Sequence, residues 1–124
     1  VCPAGFLPAA KAKACINTLK KWGFKVTKGK TLGGKSKNYF SGSFEERLAD
    51  LQNQIDDPSV NAILCGRGGY GTTHLLDHID WKKFKKNPKW IIGFSDITIL
   101  HTYLEKLLKV LVCDGGRELT SLKI

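Results

Sequence analysis

The sequence predicts an α/β fold with a mostly parallel sheet and helices on both of its faces. Helical patterns alternate with strand-length apolar runs along the chain. Residues 60–65 and 89–94 are mostly apolar, which is typical of strands that are covered on both faces. Each run is followed by a turn and then by a helical pattern. This alternation favours parallel strands joined by helices.

The N-terminal quarter predicts one helix between two short extended segments. Residues 1–5 resemble the end of a strand that passes into a turn. Pro8 suits a first helical turn, and the apolar spacing that follows predicts a helix over 8–22, which Gly23 ends. Residues 24–27 are predicted to form a short strand.

A loop over 29–42 leads to the helix with the clearest start signal. Ser43 is followed three residues later by Glu46, the pattern of a capping box. Asp57-Pro58 ends the helix. The residues that form one apolar stripe along it are Phe44, Leu48, Leu51 and Ile55.

The second half predicts further helices around the two longer strands. A helix is predicted over 72–79, a short helical turn over 80–84 and a third helix over 96–108, with a break at Asn87-Pro88. In open parallel sheets, ligands bind outside the carboxyl ends of the strands. We therefore expect the loops after both strands to form the site.

Composition limits the classes of protein to consider. The chain has 124 residues, enough for one globular core, with 20 Lys and Arg against 11 Asp and Glu. The lysines are spread along the chain, and no groove-reading helix or RNA-binding signature accompanies them, so nucleic acid is not expected as a partner. No apolar run approaches the roughly 18 residues of a membrane span. We expect neither a membrane partner nor a cofactor.

The cysteines show no spacing typical of a metal site. Cys15 and Cys65 fall among apolar residues, where a thiol behaves as a small hydrophobe, while Cys2 and Cys113 lie near the two ends. We expect a reducing, cytoplasmic setting. Because the chain begins at Val1 and contains no methionine, we also expect it to be a fragment.

Ser95 is the candidate nucleophile, because it stands where a strand turns sharply into a helix. Backbone N–H groups at a helix start can stabilise a negative oxygen that develops nearby. A second glycine-rich loop, Gly66–Gly71, follows the preceding strand. On neighbouring parallel strands the two turns would share one edge of the sheet.

Plainer interpretations exist for both turns. Ser95 or Asp96 is often a simple helix cap, since serine and aspartate are favoured there. Gly66–Gly71 also fits a tight connection or a phosphate cradle of low specificity, because it lacks the lysine and hydroxyl residue that end a P-loop.

The histidines are weak candidates for a catalytic base. His101 is predicted to lie about two turns into the helix that Ser95 introduces, which carries it away from the hydroxyl. His74 and His78 lie four residues apart on a predicted helix, but no third metal ligand is evident. No metal site is therefore expected.

Four segments together resemble the bacterial L,D-carboxypeptidase family, which includes the microcin C immunity peptidases. Their order and spacing make the match specific over residues 1–110. The segments are Val1–Gly5, Tyr39–Leu51, Ala62–Leu76 and Asn87–Thr98.

The resemblance implies a serine peptidase with two domains, and a flavodoxin-like, class I glutamine amidotransferase-like three-layer sandwich. Residues 1–110 would be the domain that carries the nucleophile Ser95. The amides of Asp96 and Gly69 would form the oxyanion hole. Residues 111–124 would be a tail or the truncated start of a link to a missing C-terminal domain, which carries the catalytic glutamate and histidine.

The resemblance also implies the substrate, a cytoplasmic muropeptide tetrapeptide or short peptide that loses its terminal D-alanine during cell-wall recycling. We expect Arg67, Gly68 and Tyr70 at the substrate site. Two interpretations of Arg67 stay open, since its planar fork suits a substrate carboxylate but also suits an anchor for the loop. Tyr70 either lines the site or packs beside it.

Several alternatives stay open at this stage. The turn has Ile97 where G-x-S-x-G hydrolases have a glycine, which agrees with the peptidase family. The tail from about Leu111 departs from the family pattern, so the fragment alone is expected to be inactive. A peptide-nucleotide amidase of the microcin C type and a non-catalytic α/β binding module are the alternative functions. Homodimerisation is also left open.

Overall fold

The structure is a computed structural model that describes residues 1–34 and 38–108. The expected tail over 111–124 and part of the expected loop over 29–42 lie outside these residues. The helices are α1 (Ala9–Lys21), α2 (Phe44–Asp56), α3 (Thr73–Leu76), α4 (Lys82–Lys86) and α5 (Thr98–Leu108). The strands are β1 (Ala62–Leu64) and β2 (Trp90–Ile92), and a single 3₁₀ turn over Ser95–Ile97 precedes α5.

The two strands are parallel neighbours, as predicted. Ala62 pairs with Trp90 and Leu64 with Ile92. The chain start extends this arrangement on the other side of β1, because the Val1 amine donates to the Leu64 carbonyl at 3.1 Å and the Gly66 amide donates to the Val1 carbonyl at 2.8 Å. This alternation of donors is that of a parallel ladder with Val1 opposite Cys65. Val1 therefore lies beside the end of β1, and the chain then bends at Pro3 and Ala4.

The hydrophobic core lies on one face of the strands. Ile63 and Ile91, at the centres of β1 and β2, are each 3% exposed and point to this face. The helical side chains packed against them are Leu51, Ile55, Leu75, Leu76, Phe84, Leu100 and Leu104. The core therefore fixes α2, α3, α4 and α5 to the same side of the strands.

We expected both faces of the strands to be covered by other parts of the chain. Among the described residues, this expectation is wrong for β2. Trp90 and Ile92, on the other face, are 39% and 42% exposed. On this face, the Leu7 and Leu32 side chains lie close to Gly66 and Cys2. The described residues thus cover the second face near the chain start and leave it open at β2.

The predicted strand over 24–27 is also wrong. Helix α1 ends in a Schellman motif, in which the Phe24 amide donates to Leu19 at 3.1 Å and the Gly23 amide donates to Lys20 at 3.0 Å. Gly23 has a φ of +89°, which a glycine adopts readily. Phe24 then lies 61% exposed to solvent. The Phe24 amide, the first of the predicted strand, is therefore hydrogen-bonded to the end of α1. The segment 24–27 pairs with no described strand.

Helix α2 begins as its sequence predicts. The Ser43 hydroxyl accepts a hydrogen bond from the Glu46 amide at 3.2 Å, and the Glu46 carboxylate accepts one from the Ser43 amide at 2.8 Å. The predicted capping box is thus complete. The predicted helix over 72–79 is shorter in the structure, where it covers Thr73–Leu76. None of the helices in the described ranges has the length and apolar character needed to cross a bilayer.

The cysteines in the described part of the chain are free thiols in two different environments. Cys2 and Cys65 are buried, but Cys15 is exposed, so its expected place among apolar neighbours is wrong. Helix α1 buries only Ala12, which leaves Cys15 facing solvent. Burial raises the pKa of Cys2, and burial raises the pKa of Cys65 to about 12.

These environments predict very different rates of thiol alkylation. In a short iodoacetamide pulse at pH 8, Cys15 should be modified while Cys65 reacts about 10³-fold more slowly, because only the thiolate is nucleophilic. Peptide mapping by mass spectrometry measures each site separately. Prior unfolding in denaturant should equalise the rates. Equal labelling of Cys15 and Cys65 in the native protein would contradict the buried position of Cys65.

Candidate active site

Ser95 follows β2 in a backbone conformation that is costly for a side chain. Its φ is +60°, and it is the one non-glycine residue with a positive φ in the described ranges. The left-handed region costs a non-glycine residue roughly 1–2 kcal/mol, and such strain concentrates at functional sites. The Ser95 side chain is exposed, so the hydroxyl is not turned into the core. A plain helix cap requires neither feature.

The glycine-rich loop lies directly against this turn. A Cβ placed on Gly68 would lie 3.0 Å from the Phe94 carbonyl oxygen, 3.3 Å from the Asp96 amide nitrogen and 3.3 Å from the Ser95 Cβ. Both turns follow the carboxyl ends of neighbouring parallel strands, which brings them to the same edge of the sheet. The predicted juxtaposition of the two loops is therefore present, and a side chain at Gly68 would crowd the Ser95 turn.

Two backbone amides in these turns are available to a ligand. Gly69 is exposed and Asp96 is half-buried. Neither amide donates a hydrogen bond to another described residue. Gly69 has a φ of +136°, and Gly71 has a φ of +114°. The loop thus depends on backbone conformations that glycine adopts readily.

The Asp96 side chain holds the two turns together. Its carboxylate accepts a hydrogen bond from the Thr72 amide at 3.0 Å. Thr72 immediately follows the glycine-rich loop and is completely buried. Asp96 therefore combines an open amide beside Ser95 with a carboxylate that fixes the end of the neighbouring loop.

Arg67 and Tyr70 lie at the outer side of the loop. The Arg67 guanidinium donates to the Phe6 carbonyl at 2.7 Å, which is the contact expected of an anchor. Tyr70 is 58% exposed and stacks on Tyr39, with ring centroids 4.5 Å apart. The Tyr39 hydroxyl lies where a Cβ of Gly69 would be, at 1.9 Å. The two stacked aromatic rings thus lie beside Gly69.

Sequence reasoning assigned no site role to Tyr39 or Arg47. Tyr39 contacts the glycine-rich loop at Gly69, and Arg47 donates to the Gly71 carbonyl at 3.3 Å. Both residues belong to the segment 39–51 that carries the family resemblance. The family resemblance of this segment draws attention to Tyr39 and Arg47, but it does not indicate that they contact the glycine-rich loop.

A catalytic base for Ser95 is absent from the described residues. The Ser95 hydroxyl makes no hydrogen bond within residues 1–34 and 38–108. His101 is buried, and its Nε2 lies 3.0 Å from the Ile91 carbonyl oxygen. His74 and His78 are exposed, and α3 ends at Leu76, so the two do not share one helix. In the same ranges, no group of three or more His, Cys, Asp or Glu could hold a metal ion.

An open groove leads away from Ser95 along α5. Its volume is about 430 Å³. The residues that line it are Leu76, Ser95, Asp96, Thr98, Ile99, Thr102, Tyr103 and Lys106. The serine therefore stands at the end of a surface depression rather than on a flat face.

Comparisons with known proteins agree with this geometry. Residues 1–115 match the model of the LD-carboxypeptidase N-terminal domain. A probable murein peptide carboxypeptidase of Bacillus subtilis is 37% identical over 106 residues, which cover 86% of this chain and 33% of that protein.

Two solved structures extend the comparison to the fold. The muramoyltetrapeptide carboxypeptidase from Oxalobacter formigenes has a TM-score of 0.70 and 31% identity, covering 82% of this chain and 34% of that one. The microcin C7 self-immunity protein MccF, in complex with aspartyl sulfamoyl adenosine, has a TM-score of 0.71 and 32% identity, covering 77% and 29%.

The chain spans about a third of the length of the curated relatives it matches, for example 33% of the Bacillus subtilis protein. The family match covers all of the described residues, including both turns of the candidate site. The chain therefore belongs to the LD-carboxypeptidase family, of which it represents the N-terminal domain.

Proposed function

We propose that this chain supplies the nucleophile and the oxyanion hole of a serine L,D-carboxypeptidase. The observation that carries the proposal is the positive φ of Ser95 in a turn packed against Gly68. Ser95 is exposed, and the Gly69 and Asp96 amides donate to no other described residue, which supports their use as nucleophile and oxyanion donors in acyl transfer. The substrate would be a muropeptide tetrapeptide, from which the enzyme releases the terminal D-alanine.

In the proposed reaction, the Ser95 hydroxyl oxygen attacks the carbonyl carbon that precedes D-alanine. Its proton passes to a base, and the Gly69 and Asp96 amides donate to the oxyanion that forms. Collapse of the tetrahedral intermediate transfers the proton to the leaving amine and releases D-alanine. Water then hydrolyses the acyl-enzyme. The base and its orienting acid, a histidine and a glutamate, would come from a C-terminal domain.

The surroundings of Ser95 suit a peptide with a free carboxylate. We infer that Arg67 contributes positive charge at the outer side of the loop, while its bond to Phe6 keeps the guanidinium in place. The Tyr39–Tyr70 stack would pack against apolar parts of the peptide. Gly68 would let the substrate approach the backbone closely. The three free cysteines of the described part suit a reducing compartment, and we propose a cytoplasmic location.

A microcin-type amidase is the second candidate, because the chain resembles MccF as closely as it resembles a muramoyltetrapeptide carboxypeptidase, with TM-scores of 0.71 and 0.70. Both reactions would use the same serine and amides. Substrate choice would then depend on residues outside this chain. A non-catalytic binding module would not need the strained serine.

A direct assay separates these functions. The complete protein should release D-alanine from a muropeptide tetrapeptide and leave the tripeptide product intact. Aspartyl sulfamoyl adenosine, the ligand in the MccF complex, serves as the alternative compound. D-alanine release with little cleavage of the adenosine compound supports the carboxypeptidase. The opposite preference supports the amidase, and turnover of neither by a folded complete protein contradicts both enzymatic proposals.

A further inference from the structure

Arg47 is a buried cation that makes no ion pair with a described residue. It lies on α2, and its side chain is only 4% exposed. No carboxylate of the described part lies within ion-pair distance of it, and the acidic groups that act on it from further away are Asp96 and Glu45. Burial lowers the pKa of Arg47. A buried charge is costly to maintain unless hydrogen bonds or an opposite charge compensate for its lost hydration.

The hydrogen bonds of Arg47 join two loops of the site edge. One terminal nitrogen donates to the Pro3 carbonyl at 2.8 Å and to the Gly71 carbonyl at 3.3 Å. Pro3 lies in the bend that follows Val1 and Cys2 at the start of the chain, and Gly71 is the last residue of the glycine-rich loop. The guanidinium thus bridges the start of the chain and the loop that contains Gly69.

An aromatic ring fixes the guanidinium in this position. The Arg47 Cζ lies 4.5 Å from the centroid of the Phe40 ring, within the range of a cation–π interaction. A Cβ on Gly71 would lie 2.7 Å from this ring and 3.4 Å from the Arg47 nitrogen. The end of the loop therefore packs closely against both the Phe40 ring and the guanidinium that stacks on it.

The Ser95 turn binds the same end of the loop as Arg47. The Asp96 carboxylate accepts a hydrogen bond from the Thr72 amide, and Asp96 has the largest attractive charge effect on Arg47. Thr72 follows Gly71 in the chain. Arg47 and Asp96 therefore act on adjacent residues at one end of the loop, Arg47 through the Gly71 carbonyl and Asp96 through the Thr72 amide.

We propose that Arg47 is a positioning residue, whose buried guanidinium holds the glycine-rich loop so that the Gly69 and Asp96 amides converge beside Ser95. This inference rests on the proposed function and adds to it a residue that touches neither the substrate nor the reacting atoms. Lysine is a poor replacement, because its compact ammonium lacks the planar group that arginine stacks on the Phe40 ring.

Asp50 provides a matched control on the same helix. It is 3% exposed and, like Arg47, binds backbone groups of a distant loop, since its carboxylate accepts from the Lys30 and Thr31 amides at 2.9 Å. It makes no contact with the glycine-rich loop. Loss of either side chain should destabilise the fold, but only loss of Arg47 should disturb the site.

The test compares Arg47→Lys, Arg47→Met and Asp50→Asn in the complete protein. A displaced oxyanion donor should lower kcat by about 10²-fold in Arg47→Met and by less in Arg47→Lys, with KM changed less than about threefold. Asp50→Asn should keep kcat within about twofold at a temperature where it is folded. A kcat that falls equally in Asp50→Asn, or that stays unchanged in Arg47→Met, would overturn the proposal.

Hydrogen exchange gives a second readout that needs no activity. In this chain, Arg47→Met should speed the exchange of amides in peptides covering residues 66–72, whereas Asp50→Asn should speed exchange around residues 29–32 instead. This experiment distinguishes the two inferences. If the complete protein has no peptidase activity, the proposed function is contradicted. Faster exchange over 66–72 in Arg47→Met would still support the positioning role. Unchanged exchange in Arg47→Met would refute the positioning role.

Discussion

Replacing Ser95 with alanine is expected to lower D-alanine release by the complete protein about 10⁶-fold, as the loss of a serine nucleophile does in other hydrolases. In the proposed reaction, the Ser95 hydroxyl oxygen forms the covalent bond to the substrate. Without it, the oxyanion-hole amides would supply only residual acceleration. The rate is measured from D-alanine released under saturating tetrapeptide. Ser59→Ala is the matched control, because Ser59 lies in the exposed turn before β1 and bonds only Asp57. Unchanged turnover in Ser95→Ala would exclude Ser95 as the nucleophile.

A second substitution of Ser95, to glycine, is expected to increase the stability of the fold although it also removes the hydroxyl. Glycine adopts a φ of +60° without the penalty that serine carries, so Ser95→Gly should raise the free energy of unfolding by about 1 kcal/mol. For a domain of this size, that corresponds to an increase in Tm of about 4 °C. Ser95→Ala retains a side chain and should not gain this stability. If the backbone strain at Ser95 serves function, the Ser95→Gly variant should be more stable than the parent and inactive.

Replacing Gly69 with alanine is expected to lower kcat by about 10²- to 10³-fold, the usual loss when one oxyanion donor is removed. The Gly69 φ of +136° lies outside the range that alanine adopts readily, so the peptide must rotate. The new Cβ would also meet the Tyr39 hydroxyl at 1.9 Å, which displaces the Tyr39–Tyr70 stack. Both changes move the amide that would face the substrate oxygen.

Gly34→Ala is the control for this substitution. A Cβ on Gly34 meets no atom of the described residues within 4 Å, and its φ is not in the positive range. This variant should keep both kcat and Tm close to those of the parent. Near-UV circular dichroism of Gly69→Ala would establish that it is folded at the assay temperature. A folded Gly69→Ala protein that turns over substrate within a few-fold of the parent would remove Gly69 from the oxyanion hole.

Local signals were sufficient for several elements of this fold. Helix α2 begins at the capping box of Ser43 and Glu46 and ends before Asp57-Pro58, because those residues satisfy or interrupt backbone hydrogen bonds within one turn. The parallel pairing of β1 and β2 followed from strand-length apolar runs separated by helices. In contrast, the segment 24–27 has strand-like composition but forms no strand. Its first amide completes the end of α1 instead.

Other features depended on contacts between residues distant in sequence. Arg47 reads as a charged residue on an amphipathic helix, which is usually solvated, yet it is buried beneath the glycine-rich loop. Cys15 lies in an apolar stretch but is exposed, because α1 buries only Ala12. Tyr39 approaches Gly69 across 30 positions of the chain. No local pattern contains the information that these side chains meet.

For the candidate site, the sequence alone determined the residue types and their order: a serine after one strand, glycines after its neighbour and the motifs shared with the family. Those features are local, since a strand, a turn and a helix start are each encoded within a few residues. The tertiary structure decided that Gly68 packs on the Ser95 turn, that Ser95 takes a left-handed conformation and that Arg47 lies behind the loop. These features arise from packing, because only a folded core brings separate segments into contact and compensates for a strained backbone.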